Sequence, residues 1–125
     1  MSGKSVCRIL FGLALTVLLA ACSSGGAPVA QTTTTVNLTA QDTFKYDPAT
    51  ITAKVGQPIH VVLTNKGVLV HSFVIDELNV KVANVQGGGT GDATFTPTQA
   101  GTYVFYCEQP GHRAAGMTGT LVVSQ

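Results

Sequence analysis

Residues 36–125 predict an all-β domain, an antiparallel sandwich or barrel of short strands. Three observations lead there: β-branched runs recur at short, even spacing, Gly, Pro, Asn and Asp punctuate them, and no segment sustains an apolar period of 3.6. In chain order the runs are "TTVNLT", "TITAKVG", "PIHVVLTNKG", "LVHSFVID", "VKVANVQGGG", "DATFTPTQAG", "GTYVFYC" and "TGTLVVS". Alternation assigns faces within them. Ile59, Val61 and Leu63 share one face, the core side, which puts His60 on the wet side. His71, Phe73 and Ile75 form an inward row, with His71 at the strand's start. Tyr103, Phe105 and Cys107 form another, with Cys107 at the strand's end. An inward histidine and an inward cysteine thus each sit where a strand meets a loop.

Ahead of this domain lies a different kind of segment. Lys4 and Arg8 precede an apolar run, Ile9 to Ala20, broken only by Gly12 and Thr16. That is the form of a secretory signal, with an apolar core short for a spanning helix. It ends in Leu19-Ala20-Ala21-Cys22, which resembles a bacterial lipobox. The expectation is a signal peptide over residues 1–21, a lipid on Cys22 and a flexible tether over residues 22–35, whose "SSGGAPVAQTTTT" is small and polar. The domain would then be exported, and lipid-anchored to the outer face of the cytoplasmic membrane or in the periplasm. The competing reading is an ordinary signal or an uncleaved anchor.

Of the three cysteines in the sequence, Cys7 would leave with the signal and Cys22 would carry lipid. Cys107 is left without a disulfide partner. An exported lone thiol is reactive unless buried or ligated. From Cys22 onward the basic residues (Lys45, Lys54, Lys66, Lys81, Arg113) nearly balance the acidic ones (Asp42, Asp47, Asp76, Glu77, Asp92, Glu108), so no basic patch points to nucleic acid.

Cys107 opens the stretch "CEQPGHRAAGM", in which four residues separate it from His112 and four more separate His112 from Met117. Pro110, Gly111 and Gly116 supply the turns that could aim the three side chains at one point. Adding His71 from another strand end gives a thiolate, two imidazoles and a thioether. Soft sulfur with imidazole suits copper, and a trigonal His₂Cys set with a weak axial Met is the donor set of electron-transfer copper sites. Each residue alone has a packing explanation: Cys107 as a buried thiol, Met117 as core filler, His112 as a surface histidine, His71 as a satisfied strand-end histidine. Their joint spacing is harder to ascribe to packing. Zinc sites seldom use Met, and a Cys–His nucleophile pair would want an accessible, activated thiol.

"TNKGVLVHSFVID" followed by "AGTYVFYCEQPGHRAAGMTGTLVV" resembles the single-domain cupredoxins, the small blue copper proteins, and the ligand loop is most like that of auracyanins and rusticyanin. The resemblance implies a Greek-key sandwich of about eight strands holding one copper ion that cycles between Cu(I) and Cu(II). It implies His71, Cys107, His112 and Met117 as ligands, Ser72 and Asn65 as supports that tie the ligand loops, and His112 as the electron port. The span from His71 to Cys107 is short for azurins and auracyanins, so the insertion that often carries a helix is expected to be a simple turn at "QGGGTGD".

The function implied is one-electron transfer between redox proteins of a membrane electron-transport chain, by a monomer that docks transiently through Val68, Leu69, Pro110, Ala114 and Ala115. No enzyme activity is expected: Cys107 lacks the flanking histidines of multicopper oxidases, a second cysteine for a dinuclear site is missing, and three histidines are too few for a second catalytic copper. Two other functions remain open: a copper-binding or copper-delivery lipoprotein, and a metal-free β-sandwich binding module.

Overall fold

The computed structural model describes residues 30–125, so the signal segment 1–21, Cys22 and most of the 22–35 tether lie outside the described residues. Nine strands follow in order: β1 Thr34–Gln41, β2 Lys45–Asp47, β3 Thr50–Lys54, β4 Ile59–Asn65, β5 His71–Ile75, β6 Val80–Val85, β7 Thr90–Phe95, β8 Gly101–Tyr106 and β9 Thr118–Ser124. The only helical element among the described residues is a 3₁₀ turn at Asp76–Leu78. β6 and β7 are joined by the expected short turn, where Gly89 N–H donates to Gln86 O at 2.8 Å.

Two sheets form the sandwich. One has the order β2-β1-β4-β7, the other β3-β9-β8-β5-β6. Most neighbouring strands are antiparallel as expected, and two pairs are parallel: β1 with β4, and β3 with β9. Parallel neighbours need a long crossover. Between β1 and β4 that crossover is built from strands, since β3 belongs to the opposite sheet. Alternation within a strand reports which face is buried and says nothing of its neighbour's direction. Thr34 and Thr35, where the expected tether overlaps the run "TTVNLT", are the first residues of β1, paired with Ile59 and His60. β2 was also missed, because "KYD" is too short and polar to show a pattern.

The inner faces carry the alternating residues. β4 reads buried at Ile59, Val61, Leu63 and Asn65 and half-buried between them, with His60 on the outer face as expected. β5 departs from simple alternation: all five of its residues are buried, including Ser72 and Val74. It lies between β8 and β6, and its pairing with β6 shifts register between His71 and Phe73. Ala83 and Asn84 of β6 stand opposite Ser72 alone, one residue in excess; both are exposed, and Asn84 adopts a left-handed φ of 53°. The shift falls where the strand delivers His71.

Phe105, fully buried, is the centre of the core. Its ring lies 5.3 Å from Tyr46 and 5.1 Å from Phe73, so it touches residues of both sheets. A Cβ at Gly119 would stand 2.1 Å from the Phe105 ring and 2.7 Å from the carbonyl oxygen of Ala49. Gly119 is thus the space the ring occupies. Phe105→Ala is expected to lower the unfolding free energy by about 3–5 kcal/mol, measured by urea denaturation of the metal-free protein.

Candidate metal centre

β8 ends at Tyr106 and β9 begins at Thr118, paired with each other at the last rung of their antiparallel ladder. The ladder then gains one more bond: Cys107 N–H donates to Met117 O at 3.1 Å. The residues between are folded into tight turns. His112 N–H donates to Gln109 O at 3.1 Å, Ala115 N–H to Gly111 O at 2.9 Å, and Met117 N–H to His112 O at 3.0 Å. Gly111 and Gly116 have φ of 81° and 99°, the left-handed region that glycine enters without a Cβ penalty. This is how the loop turns its chain twice and still brings Cys107 and Met117 side by side.

The second contribution comes from the β4–β5 connection. Asn65 is fully buried at its start. Its Nδ2 donates to Leu69 O at 2.6 Å and Val85 O at 2.9 Å, while its Oδ1 accepts from Gly67 N–H at 2.9 Å. One amide thereby shapes the loop that leads into His71. The next residue, Ser72, joins the two loops: its Oγ accepts from Glu108 N–H at 2.8 Å and donates to Cys107 Sγ at 3.6 Å.

The structure brings His71, Cys107 and His112 together, with one donor atom from each lying within 4.8 Å of the others. Cys107 Sγ is 3.4 Å from His112 Nδ1. His71, Cys107 and Met117 have no exposed surface, and His112 is half-buried. His71 Nε2–H donates to the Asp42 carboxylate at 3.1 Å. The other nitrogen, Nδ1, is buried and has no hydrogen-bond partner, alone in this among the buried side-chain polar atoms described. Burial chiefly, and then the neighbouring His71, hold His112 below the ordinary imidazole range, which favours its neutral form.

This arrangement fits a metal ion. Bonds of about 2.0–2.3 Å to nitrogen and sulfur put the donors of one trigonal or tetrahedral site roughly 3.4–4 Å apart. An orphaned buried nitrogen costs stability unless something else uses its lone pair. A soft thiolate with two imidazoles suits copper, and zinc as well, so the donor set narrows the metal without choosing it.

A family model for the cupredoxin-like domain matches residues 11–123. The chain belongs to the cupredoxin-like family. Among cupredoxin-like relatives, the copper-resistant cuproprotein CopI of Rubrivivax gelatinosus is 32% identical over 108 residues, covering 71% of this chain and 66% of that protein. Auracyanin-B of Chloroflexus aurantiacus is 45% identical over 42 residues, 34% of this chain and 18% of that protein. The chain therefore spans just under two thirds of the first relative and a fifth or less of the second. The solved structure of reduced auracyanin from Roseiflexus castenholzii superposes with a TM-score of 0.68 at 26% identity, covering 74% of this chain and 98% of the other. Family and donor set together support one copper ion as the cofactor of this cupredoxin.

Three residues near the centre escaped the sequence reading. Asp42 bonds to His71 and also accepts from Val68 N–H at 2.8 Å and Leu69 N–H at 3.2 Å, contacts that, with the Val68 amide foremost, hold its carboxyl below the usual range. Phe44 meets the His112 ring edge-on at 4.8 Å. Tyr46 donates its hydroxyl to Ser72 O, and burial pushes its phenol well above the ordinary range. All three lie in or beside "DTFKY", a stretch with turn-like polarity and no period. His60 stays outside the group, 3.1 Å from Asp92. Val68, Leu69, Pro110, Ala114 and Ala115 are all exposed.

Ser72→Ala would leave the Glu108 N–H without its acceptor and the Cys107 sulfur without its donor. It is expected to cost about 1–3 kcal/mol of metal-free stability, read by denaturant titration.

Proposed function

We propose that this chain is a type 1 copper electron-transfer protein, with His71, Cys107 and His112 as equatorial ligands and Met117 as axial ligand. The observation that carries this reading is the buried, unpartnered Nδ1 of His71 beside the thiol of Cys107 and the imidazole of His112. Copper, when bound, supplies a one-electron Cu(II)/Cu(I) couple. The protein's part is to hold three donors at fixed spacing, exclude water by burying Cys107, His71 and Met117, and leave only His112 near solvent. That edge is the route for the electron, and the reading includes no substrate chemistry.

Docking would occur around His112. Several charged groups of this neighbourhood are engaged: Lys81 with Glu108 at 2.7 Å, Arg113 over the Tyr106 ring at 4.0 Å, and Asp76 with the Tyr106 hydroxyl. Val68, 85% exposed, and Leu69, 42% exposed, remain as free apolar surface, with Pro110, Ala114 and Ala115 on the other loop. A small apolar face suits the weak, brief encounters of redox partners. A lipid on Cys22 and the following tether would hold this face near membrane redox complexes and raise its effective concentration there.

A copper-handling role without electron carriage is the second reading, favoured by the likeness to CopI, a protein described as copper-resistant. The two readings differ in what copper does once bound. Titrating the purified protein with Cu(II) and then adding ascorbate is expected to give an intense colour that bleaches and returns reversibly; a colourless copper complex that yields its ion to a chelator supports copper handling instead. Cys107→Ser is expected to abolish the colour. Met117→Leu is expected to raise the reduction potential, since a weaker axial donor disfavours Cu(II), and a fall in voltammetry would remove Met117 from the axial role. Leu69→Asp is expected to slow electron transfer to a redox partner while leaving the spectrum unchanged.

A further inference from the structure

We propose that Asp42 is a positioning residue for the copper centre: its carboxylate fixes the His71 ring with Nδ1 free for the metal, and strengthens that imidazole as a donor to Cu(II). The inference rests on the copper reading and adds a residue outside the ligand loop and outside the strand that carries His71.

The argument starts from what a carboxylate can do. It only accepts hydrogen bonds, so the 3.1 Å contact places the ring proton of His71 on Nε2 and leaves Nδ1 with a lone pair. Nδ1 is the nitrogen that no protein group satisfies. A ligating histidine whose other N–H is given to a carboxylate is held in tautomer and orientation, and is a more basic donor. Asp42 is itself held by Val68 N–H on Oδ2 at 2.8 Å and Leu69 N–H on Oδ1 at 3.2 Å, so the carboxylate is not a wandering surface acid. The chain also keeps room for it. A Cβ on Gly67 would stand 1.8 Å from Asp42 Oδ1 and 2.3 Å from its Cγ, and its three nearest neighbours are all atoms of the Asp42 side chain.

That last fact gives a clean test. Asp42→Asn keeps the shape and removes the charge. Gly67→Ala keeps the charge and pushes the carboxylate off its place, loosening its bonds to His71, Val68 and Leu69 together. If Asp42 acts through its bond to His71, both variants of the full chain should lose about tenfold or more in Cu(II) affinity. Both should also raise the reduction potential by voltammetry, by about 59 mV for each tenfold loss of Cu(II) over Cu(I) affinity in a one-electron couple. In the metal-free wild type, nitrogen NMR of the His71 ring should find the proton on Nε2.

A proton on Nδ1 in the metal-free protein would overturn the proposal, whether or not either variant folds. So would unchanged potentials in both variants. A shift in Asp42→Asn with none in Gly67→Ala would also overturn it, since charge at a distance would then be the whole effect. Failure of the wild type to bind copper would sink the copper reading instead, and the metal-free tautomer would still decide whether Asp42 orients His71.

Discussion

The hydrogen bond from Cys107 N–H to Met117 O is the constraint on which the candidate centre depends. It adds one rung beyond the Tyr106–Thr118 pair and so turns the β8–β9 ladder into the clamp of the ligand loop. Closing a loop costs chain entropy that grows only slowly with its length. Here a ladder of six register pairs, from Gly101–Val123 to Tyr106–Thr118, offsets that cost before any ligand is involved. The internal turns then fix His112 between the two sulfur residues. Folding alone brings these donors together, and metal binding need not assemble them.

The other side of the centre depends on the first in a specific way. Asn65 shapes the β4–β5 connection, and the register shift in β5 delivers His71 to the sheet's end. Ser72 then locks that strand to the ligand loop through Glu108 N–H. Tyr46, from the opposite sheet, closes the arrangement by donating to Ser72 O and by packing on Phe105. Two loops that are far apart in sequence share buried polar contacts, and each contact is satisfied only if both loops are in place. Buried networks of this kind specify one geometry because a half-made version leaves unpaired polar groups.

Much of this was legible in the sequence. The β-branched runs located eight of the nine strands, and alternation assigned the inward faces of Ile59, Val61, Leu63, Phe73 and Phe105. The equal spacing around His112 marked the loop, and the inward row of His71, Phe73 and Ile75 marked the strand that carries His71. What escaped has a physical reason. Strand direction leaves no trace in a period of two, so the parallel pairs β1–β4 and β3–β9 were not visible. β2 is three residues long, with one buried side chain. Asp42 and Phe44 work through positions in a turn, where the residues flanking them give no hint that the turn reaches a site built by β5 and the ligand loop. Nothing in "TNKG" signals that the missing side chain of Gly67 makes room for Asp42.

Burial separates the two proposed uses of the centre. An ion is released by ligand exchange, which needs an incoming group to reach it. His71, Cys107 and Met117 have no exposed surface, and the loop that would have to open is bonded internally at His112, Ala115 and Met117 as well as clamped at its ends. An electron needs no such opening. It needs a short route to a surface where a partner can rest, and the half-buried His112 ring beside exposed Val68 and Leu69 offers one. A site pre-gathered by backbone bonds also has little rearranging to do when its charge changes by one, which favours transfer over storage. The same rigidity would make copper slow to leave. The architecture is therefore better suited to a carrier than to a donor of copper, with the likeness to CopI keeping copper handling as the second reading.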